Sequence, residues 1–158
     1  MNAPTDARHA LGVELATEVV SRFGRIRLRV TGTSMLPALR PGDLLTIRRV
    51  HLEEISLGDI ALVVRGKQFF AHRVRDVRCD EPYLTTRGDR LSYNDPPVLR
   101  SELLGKVAGV ERNGRKVGSI AWLNSSNGVL AHILRSSESA TSLFVRFLKL
   151  LERWTVCG

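Results

Sequence analysis

Four polar residues of this sequence have the side chains needed for nucleophilic catalysis: Ser34, His72, Asp89 and Asp95. A serine hydroxyl is a weak nucleophile until a base removes its proton. Neutral imidazole, whose unperturbed pKa is about 6.5, can be that base near neutral pH. A carboxylate then fixes the imidazole tautomer and stabilises the imidazolium. The chemistry therefore requires the serine, the histidine and one aspartate to meet in the folded chain.

Ser34 lies between two predicted strands, in the stretch from Val30 to Val50. Gly32 lets the backbone turn just before it. Pro37 and Pro41 prevent a helix from forming after it. A serine at the end of a strand, followed by proline-restricted coil, is expected to be exposed. Taken alone it is also an ordinary turn serine, because turns favour serine, glycine and proline.

His72 lies in the second strand of a predicted hairpin, residues 69–77, which a Gly66-Lys67 turn connects to the buried strand 60–64. A single histidine in a strand is ordinarily a surface residue or a hydrogen-bonded core residue. It becomes a candidate base only together with Ser34 and an aspartate. His9, His51 and His132 have no such context, and no pair of histidines or cysteines has the spacing of metal ligands, so neither a metal nor a cofactor is expected.

Composition bounds the class of protein. The chain has 158 residues, of which 43% are hydrophobic and 25% charged, as expected for one globular domain. Its net charge of +8 favours acidic partners such as nucleic acid, anionic lipid or acidic peptides. The arginines at 25, 27 and 29 alternate with apolar residues but not with aromatic ones, so stacking on bases is not indicated and no nucleic-acid partner is expected.

The sequence also bears on location. No apolar stretch reaches the roughly 18 residues needed to span a bilayer, and residues 1–29 lack the pattern of a secretory signal. Cys79 and Cys157 are interpreted as free thiols in a reducing compartment, with a single disulfide as the alternative. These features together predict a cytoplasmic protein.

Hydrophobic periodicity divides the chain into three segments. Residues 1–24 predict an amphipathic helix that packs on the edge of the domain and ends at Gly24. Its apolar residues are Leu11, Leu15, Val19 and Phe23, which recur every four positions, with Ala16 and Val20 beside them. Residues 25–120 predict short antiparallel strands joined by Gly-Asp, Gly-Lys and Asn-Gly turns, which indicates a mainly β fold, a coiled sheet or barrel. Residues 121–158 predict a helical C-terminal extension.

That extension contains a polar linker at 136–142 and an amphipathic helix at 143–154. The helix has aromatic residues on one face and basic residues on the other. It is expected either to pack on the β domain or to lie on an anionic membrane, which would make the protein peripheral at the membrane.

Three stretches in order resemble one superfamily, over roughly residues 28–110. Ser34-Met35-Leu36-Pro37 with Gly42-Asp43 resembles the nucleophile box of the type I signal peptidases and the SOS-repressor-like self-cleaving proteases. Ala71-His72-Arg73-Val74 resembles the second box. Thr86-Arg87-Gly88-Asp89, with Asp95 six residues after Asp89, resembles the third. The resemblance implies a serine endopeptidase on the coiled β fold of the signal peptidases, with N-terminal and C-terminal helices added.

The second box indicates a subtype. Bacterial signal peptidases and the self-cleaving repressors use a lysine base on this strand, whereas His72 resembles the base of the endoplasmic-reticulum and archaeal enzymes. Lys67 would lie some 16 Å away along the strand, at about 3.3 Å per residue, so it is a poor candidate. By resemblance Asp95 is the third catalytic residue and Asp89 braces the loop, although Asp89 stays open for that role. The resemblance also implies the Ser34 backbone N–H as an oxyanion donor, while the serine hydroxyl that some relatives place two residues earlier is replaced by Gly32.

The chain departs from the signal peptidases because it shows no N-terminal transmembrane anchor, and from the repressors because it shows no helix-turn-helix or obvious self-cleavage bond. Two functions are therefore expected as alternatives. The first is a serine endopeptidase that cleaves a peptide or precursor protein, with signal-peptide processing as the activity the resemblance implies. The second is an inactive basic module of the same fold that binds peptide or nucleic acid.

Overall fold

The computed structural model describes residues 3–78, 81, 83–118, 142, 145 and 146. Within them, a helix is followed by short strands. The helix is α1 (Ala3–Phe23), and the strands are β1 (Arg25–Arg29), β2 (Leu44–Arg48), β3 (Ile60–Arg65), β4 (Gln68–Arg78), β5 (Tyr83–Arg87), β6 (Val98–Leu99), β7 (Leu103–Arg112) and β8 (Arg115–Lys116). Two short 3-10 helices, Leu52–Glu54 and Arg100–Glu102, lie between strands. The mainly β fold with an N-terminal helix, as predicted, is confirmed.

The strands of the described residues form one antiparallel sheet. Its order is β1-β2-β7-β3-β4-β5-β6, and β8 pairs with β7. The two end strands of this order, β1 and β6, do not pair with each other among the described residues. The sheet is therefore open, and the closed barrel that the sequence offered as one form of the fold is not seen.

Both predicted hairpin turns are present and have the geometry that their residues favour. Gly66 and Lys67 have φ values of 56° and 62°, and Asn113 and Gly114 have 51° and 74°. Two consecutive residues with positive φ match the right-handed twist of the flanking strands. The first turn fixes the register of β3 against β4, in which His72 lies opposite Ala61.

The sheet buries apolar residues on both faces because side chains alternate along each strand. Ile60 and Leu62 of β3 belong to one core cluster, with Met35 and Leu39 from the loop that follows β1. Ala61 and Val63 of the same strand belong to a second cluster on the opposite face. We call these the first core and the second core.

The packed face of α1 differs from the predicted one. Leu11, Leu15 and Phe23 are 56%, 58% and 70% exposed, whereas the buried residues of the helix are Val13, Ala16 and Val20. The helix contacts β1 most extensively, and also β4 and β7. The stripe predicted at Leu11, Leu15 and Phe23 is therefore wrong as the inner face, whereas Ala16 and Val20, predicted beside it, are buried. The predicted end is confirmed, because Gly24 has φ 71° and its N–H donates to the carbonyl of Val20 at 2.9 Å.

The predicted helical extension, residues 121–158, lies almost entirely outside the described residues, including its linker at 136–142 and its helix at 143–154. The division of the chain at residues 24 and 120 stays a prediction. In the part of the chain that is described, no helix is both long enough and apolar enough to cross a bilayer.

Candidate active site

Ser34 lies in a loop that is anchored by the residues immediately after it. Met35, Leu36 and Leu39 are at most 3% exposed, and Met35 and Leu39 belong to the first core. The N–H of Leu39 donates to the carbonyl of Met35 at 3.0 Å, which closes the turn. Ser34 itself is partly buried, not exposed as its turn sequence predicted. The core therefore determines where its hydroxyl lies.

A second loop, following β5, contacts the Ser34 backbone directly. The N–H of Arg90 donates to the carbonyl of Ser34 at 2.9 Å, and the Arg90 guanidinium donates to the hydroxyl oxygen of Thr33 at 3.1 Å. Gly88 lies so close that a Cβ there would be 2.8 Å from the Ser34 carbonyl oxygen and 3.0 Å from the Ser34 Cβ. Since real Cβ atoms do not approach a backbone oxygen so closely, only glycine fits this position without a shift of the serine loop.

His72 connects the serine to Asp95. Its imidazole is buried, with the side chain 7% exposed. Nε2 is 2.9 Å from the hydroxyl oxygen of Ser34, and Nδ1 is 2.6 Å from Oδ2 of Asp95. Because an ionised carboxylate only accepts hydrogen bonds, Nδ1 is the donor to Asp95. Nε2 of the neutral ring is then an acceptor, directed at the hydroxyl proton of Ser34.

Asp95 is also held by β5. Its backbone N–H donates to the carbonyl of Thr86 at 2.8 Å, and the Thr86 hydroxyl donates to Asp95 Oδ2 at 2.6 Å. Partial burial tends to raise the pKa of Asp95, but the hydrogen bonds from His72 and Thr86, with smaller contributions from the charges of His72 and Arg65, lower it below the usual value overall. The carboxyl group is therefore ionised wherever the histidine could act as a base.

Arg65, at the end of β3, fixes the chain that follows Asp95. Its guanidinium forms two hydrogen bonds with Glu102, at 2.7 and 2.6 Å, and donates to the carbonyl of Pro97 at 2.8 Å. The loop that carries Asp95 is thus tied to a strand in the middle of the sheet.

Asp89, the other candidate carboxylate, is not brought to His72. It is 1% exposed and accepts from Arg73 through both oxygens, at 2.7 and 2.5 Å. Arg75 donates to it as well, at 3.1 Å. Such a two-pronged contact with a guanidinium is typical of a structural ion pair, which agrees with the bracing role predicted for Asp89.

A groove of about 650 Å³ lies beside Ser34 and His72. One wall is the end of β1 and the loop after it, and the other wall is the start of β4. Its floor belongs to the first core and includes Leu39, Leu45 and Leu62. Ser34 and His72 are therefore at the edge of a long, mainly apolar cleft.

The β4 wall of this groove has an unpaired backbone edge. On one side, β4 pairs with β3 along its first half, from Gln68↔Arg65 to Arg73↔Ile60. On the other side, its pairing with β5 begins only at Arg73↔Arg87. Residues 68–72 therefore have no strand partner on that side among the described residues. Beyond Arg87 the chain turns through Gly88 toward Ser34, so the open edge ends at the serine.

The other histidine and lysine candidates take no part in this arrangement. Lys67 is exposed in the turn between β3 and β4, and it does not line the groove. His51 is exposed beside the first 3-10 helix. Within the described residues, no three side chains of histidine, cysteine, aspartate or glutamate are grouped so that they could hold a metal ion.

Sequence analysis missed the roles of Thr86 and Arg65. Thr86 is 1% exposed and its hydroxyl points to a residue nine positions later. A threonine in a strand is common, and its pattern gave no signal that it would reach the loop. The role of Arg65 depends on carbonyl groups 31 and 32 residues away, which a local pattern also does not show.

No protein-family model matches this chain, and a search of curated proteins finds no significant match.

Proposed function

We propose that this chain is a serine endopeptidase of the signal peptidase-like superfamily, in which Ser34 is the nucleophile, His72 the general base and Asp95 the residue that orients the base. The observation that carries the proposal is the continuous chain of hydrogen bonds from Ser34 through His72 to Asp95, with lengths of 2.9 and 2.6 Å. Three residues far apart in sequence meet with the distances that a nucleophile, its base and an orienting carboxylate require.

The proposed reaction proceeds in two halves. His72 Nε2 takes the hydroxyl proton of Ser34 as Oγ bonds to the carbonyl carbon of the peptide. When the C–N bond breaks, Nε2 gives this proton to the departing amine, which leaves an ester on Ser34. Nε2 then takes a proton from a water molecule that attacks the ester, and it returns the proton to Ser34 as the acid product departs.

The negative charge that develops on the carbonyl oxygen needs hydrogen-bond donors. The backbone N–H of Ser34 is the donor that the resemblance implies. No described residue accepts a hydrogen bond from it, so it is available to the substrate. The charge of the ionised Asp95 stabilises the imidazolium that forms at the same moment.

A peptide is the substrate class that the surroundings of Ser34 favour. The open edge at residues 68–72 offers backbone N–H and C=O groups to an extended chain. The apolar groove beside it offers room for alternate side chains. A peptide added to β4 in the row that β5 leaves empty would bring one carbonyl group next to Ser34.

Location and partners belong to the same proposal. We expect a cytoplasmic enzyme that acts on a peptide or precursor protein, with contact to anionic membranes through residues 143–154 as a further expectation. The alternative of a non-catalytic basic module is favoured by one observation, the exposed arginines 25, 27 and 29 on the outer face of β1. A module of this kind would bind a peptide or nucleic acid and leave it intact.

The test is cleavage of a peptide library made by trypsin digestion of a whole proteome, with new chain ends identified by mass spectrometry. We expect the unaltered protein to cleave, and Ser34→Ala and His72→Gln to lose the activity to below detection, since loss of either group costs about 10⁶-fold in a serine protease. Ser56→Ala and His51→Gln are the matched controls, because both residues are exposed and remote from the groove.

Two outcomes would contradict the proposal. One is full activity in Ser34→Ala that has the same thermal midpoint as the unaltered protein. The other is the absence of any cleavage by a folded protein that binds library peptides, which would indicate the non-catalytic module instead.

A further inference from the structure

A second cavity lies on the opposite face of the sheet from the groove. Its volume is about 180 Å³, and its apolar walls include Val63, Phe70 and Val98. Thr86 and Asp95 also line it. Val63 and Val98 belong to the second core, whereas the floor of the groove belongs to the first core. The apolar floors of the two cavities thus belong to opposite faces of the sheet.

Phe70 connects the two spaces, because it lines both the groove and the small cavity. It lies on the open edge of β4, two residues before His72, so that both side chains leave the same face of the strand. Their rings are 6.1 Å apart between centroids. Phe70 is 37% exposed, which means that the cavity is reached from the edge itself.

The geometry of an added strand determines where its side chains go. Successive side chains of an extended peptide point to opposite faces of the sheet that it joins. Beside residues 68–72, one set would enter the groove over the first core, and the other set would lie over Phe70 on the face of the second core. The residue whose carbonyl reaches Ser34 belongs to the first set, because Ser34 lines the groove and does not line the small cavity.

We propose that the small cavity bounded by Val63, Phe70 and Val98 is a second specificity pocket, which takes an aliphatic side chain from the residue next to the one that carries the attacked carbonyl. The inference rests on the proposed peptidase function and adds a substrate preference to it. A pocket of this size with apolar walls fits a side chain such as that of valine or leucine.

The pocket also affects the reaction through water. Its polar wall includes the carboxylate of Asp95 and the hydroxyl of Thr86, next to the imidazole of His72. Arg65 also lines it, and the guanidinium of Arg65 is already paired with Glu102. An aliphatic side chain seated there displaces water from the Asp95 and His72 contact, and electrostatic interactions strengthen when water is excluded. Preference at this position is therefore expected to appear in kcat as well as in KM.

The experiment uses the full chain and synthetic peptides based on one sequence that the tryptic library shows to be cleaved. Alanine, valine, leucine, phenylalanine and aspartate are placed in turn at each of the two positions that flank the residue with the attacked carbonyl. At one of these positions we expect valine and leucine to exceed alanine in kcat/KM by about 10-fold or more, as a buried methylene group gives 10- to 200-fold discrimination. Aspartate is expected to be rejected because an ionised carboxylate would lose its hydration among the apolar walls of the cavity.

Variants of residues that line the pocket test whether the substrate preference comes from this pocket. Val63→Ala enlarges the cavity and is expected to shift the optimum toward phenylalanine, and Phe70→Ala is expected to widen the preference. Val77→Ala is the matched control, because this partly buried valine packs against the second core without lining the cavity. If Val63→Ala is too unstable to assay, Pro96→Ala replaces it, because Pro96 is exposed and lines the small cavity without lining the groove.

The outcomes separate the pocket from the peptidase function. Cleavage with no preference at either flanking position, or a preference that Val63→Ala and Phe70→Ala leave unchanged, would overturn the pocket and leave the peptidase proposal standing. A folded protein that cleaves no peptide overturns both.

Discussion

Two carboxylates on the same loop have opposite surroundings. Asp89 is closed into the protein by Arg73 and Arg75, with its side chain 1% exposed. Asp95 is 20% exposed and accepts from His72 and Thr86, of which only the histidine can change its charge near neutral pH. A guanidinium donates hydrogen bonds without exchanging its proton near neutral pH, so the arginines hold Asp89 in place and relay no proton. The pair with histidine can gain and lose a proton, which is what catalysis requires.

Their partners are neighbours on β4. His72 and Arg73 are consecutive, and consecutive side chains of a strand point to opposite faces. One strand therefore holds both the candidate base and the brace of the loop that carries its aspartate. The comparison shows that one loop can be held in place by an ion pair with arginine at Asp89. Six residues later, at Asp95, the same loop contacts a histidine that can exchange a proton.

Among changes to the two carboxylates and their surroundings, the largest effect is expected from Asp95→Asn. An asparagine side chain can donate to Nδ1, and the histidine then adopts the wrong tautomer, so that Nε2 no longer accepts the serine proton. We expect kcat/KM for a cleaved library peptide to fall by about 10⁴-fold, as this substitution does in a serine protease triad. The thermal midpoint should change little. Activity above one tenth of normal would mean that Asp95 does not orient the base.

Asp89→Asn is expected to act on stability instead. It removes the negative charge that faces the buried Arg73 guanidinium, and breaking one partner of a buried pair costs about 3–5 kcal/mol. Urea unfolding measures the effect. Asp76→Asn is the control, because the Asp76–Arg78 pair is more than half exposed and should contribute less than about 1 kcal/mol. Equal losses in the two variants would contradict the contrast between a buried brace and a surface pair.

Gly88→Ala tests whether the loop after β5 positions the nucleophile. The added methyl group would lie 2.8 Å from the Ser34 carbonyl oxygen, so the serine loop must shift. A displacement of about 1 Å can cost 10²-fold in rate, and we expect a fall in kcat of that order. Gly109→Ala is the control, since a Cβ there would meet only Thr46 atoms at 3.8 Å or more.

Thr86→Val is expected to give a smaller effect that depends on pH. The hydroxyl helps to lower the pKa of Asp95 in the folded protein. The pKa of an aspartate in the unfolded chain is about 3.9. A carboxyl group whose pKa is lower in the folded protein stabilises the fold at any pH above this unfolded value. The stabilisation is lost as the pH falls through the folded pKa. In Thr86→Val the pKa of Asp95 in the folded protein should rise. The ionised carboxylate then adds less to the free energy of unfolding, and the loss of stability on acidification should be smaller. Thermal midpoints between pH 2 and 6 measure this, with Thr85→Val as the control.

The smallest effect is expected from Lys67→Gly. Lys67 is exposed in a hairpin turn with φ 62°, a conformation that glycine adopts readily. Activity and the shape of its pH profile should be unchanged. A loss of activity in this variant, with activity retained in His72→Gln, would point to a lysine base and end the histidine assignment.

The features that could be predicted from the sequence are those that depend on residues close together in the chain. The turns at Gly66-Lys67 and Asn113-Gly114, and the strands on either side of them, follow from local backbone preferences. The pairing of β7 with both β2 and β3 does not, because it depends on which apolar faces fit together after the chain has collapsed. The same limit applies to α1, where Leu11 and Leu15 formed the clearest stripe but smaller residues pack inward.

The candidate site shows the same division. Ser34 and His72 could be singled out from their side-chain chemistry and from the boxes around them. The resemblance already favoured Asp95 over Asp89, but the contacts that distinguish the two carboxylates, with Arg73 and with Thr86, were not visible in any local pattern. The contact of Gly88 with Ser34 could not be predicted either. Glycine followed by aspartate is common in turns, so the pattern offered no further reason to expect a glycine at this position.

The open sheet also bears on self-association. A strand at the edge of a sheet can pair with a strand from another molecule, and charged side chains are a common protection against this. β1 is such an edge, and its exposed arginines at 25, 27 and 29 would bring like charges together if two copies met there. The start of β4 has no such charges at residues 69–71. The chain thus protects one edge from its own copies and leaves the other accessible to an incoming strand, so that aggregation, if it occurs, is expected to begin at β4.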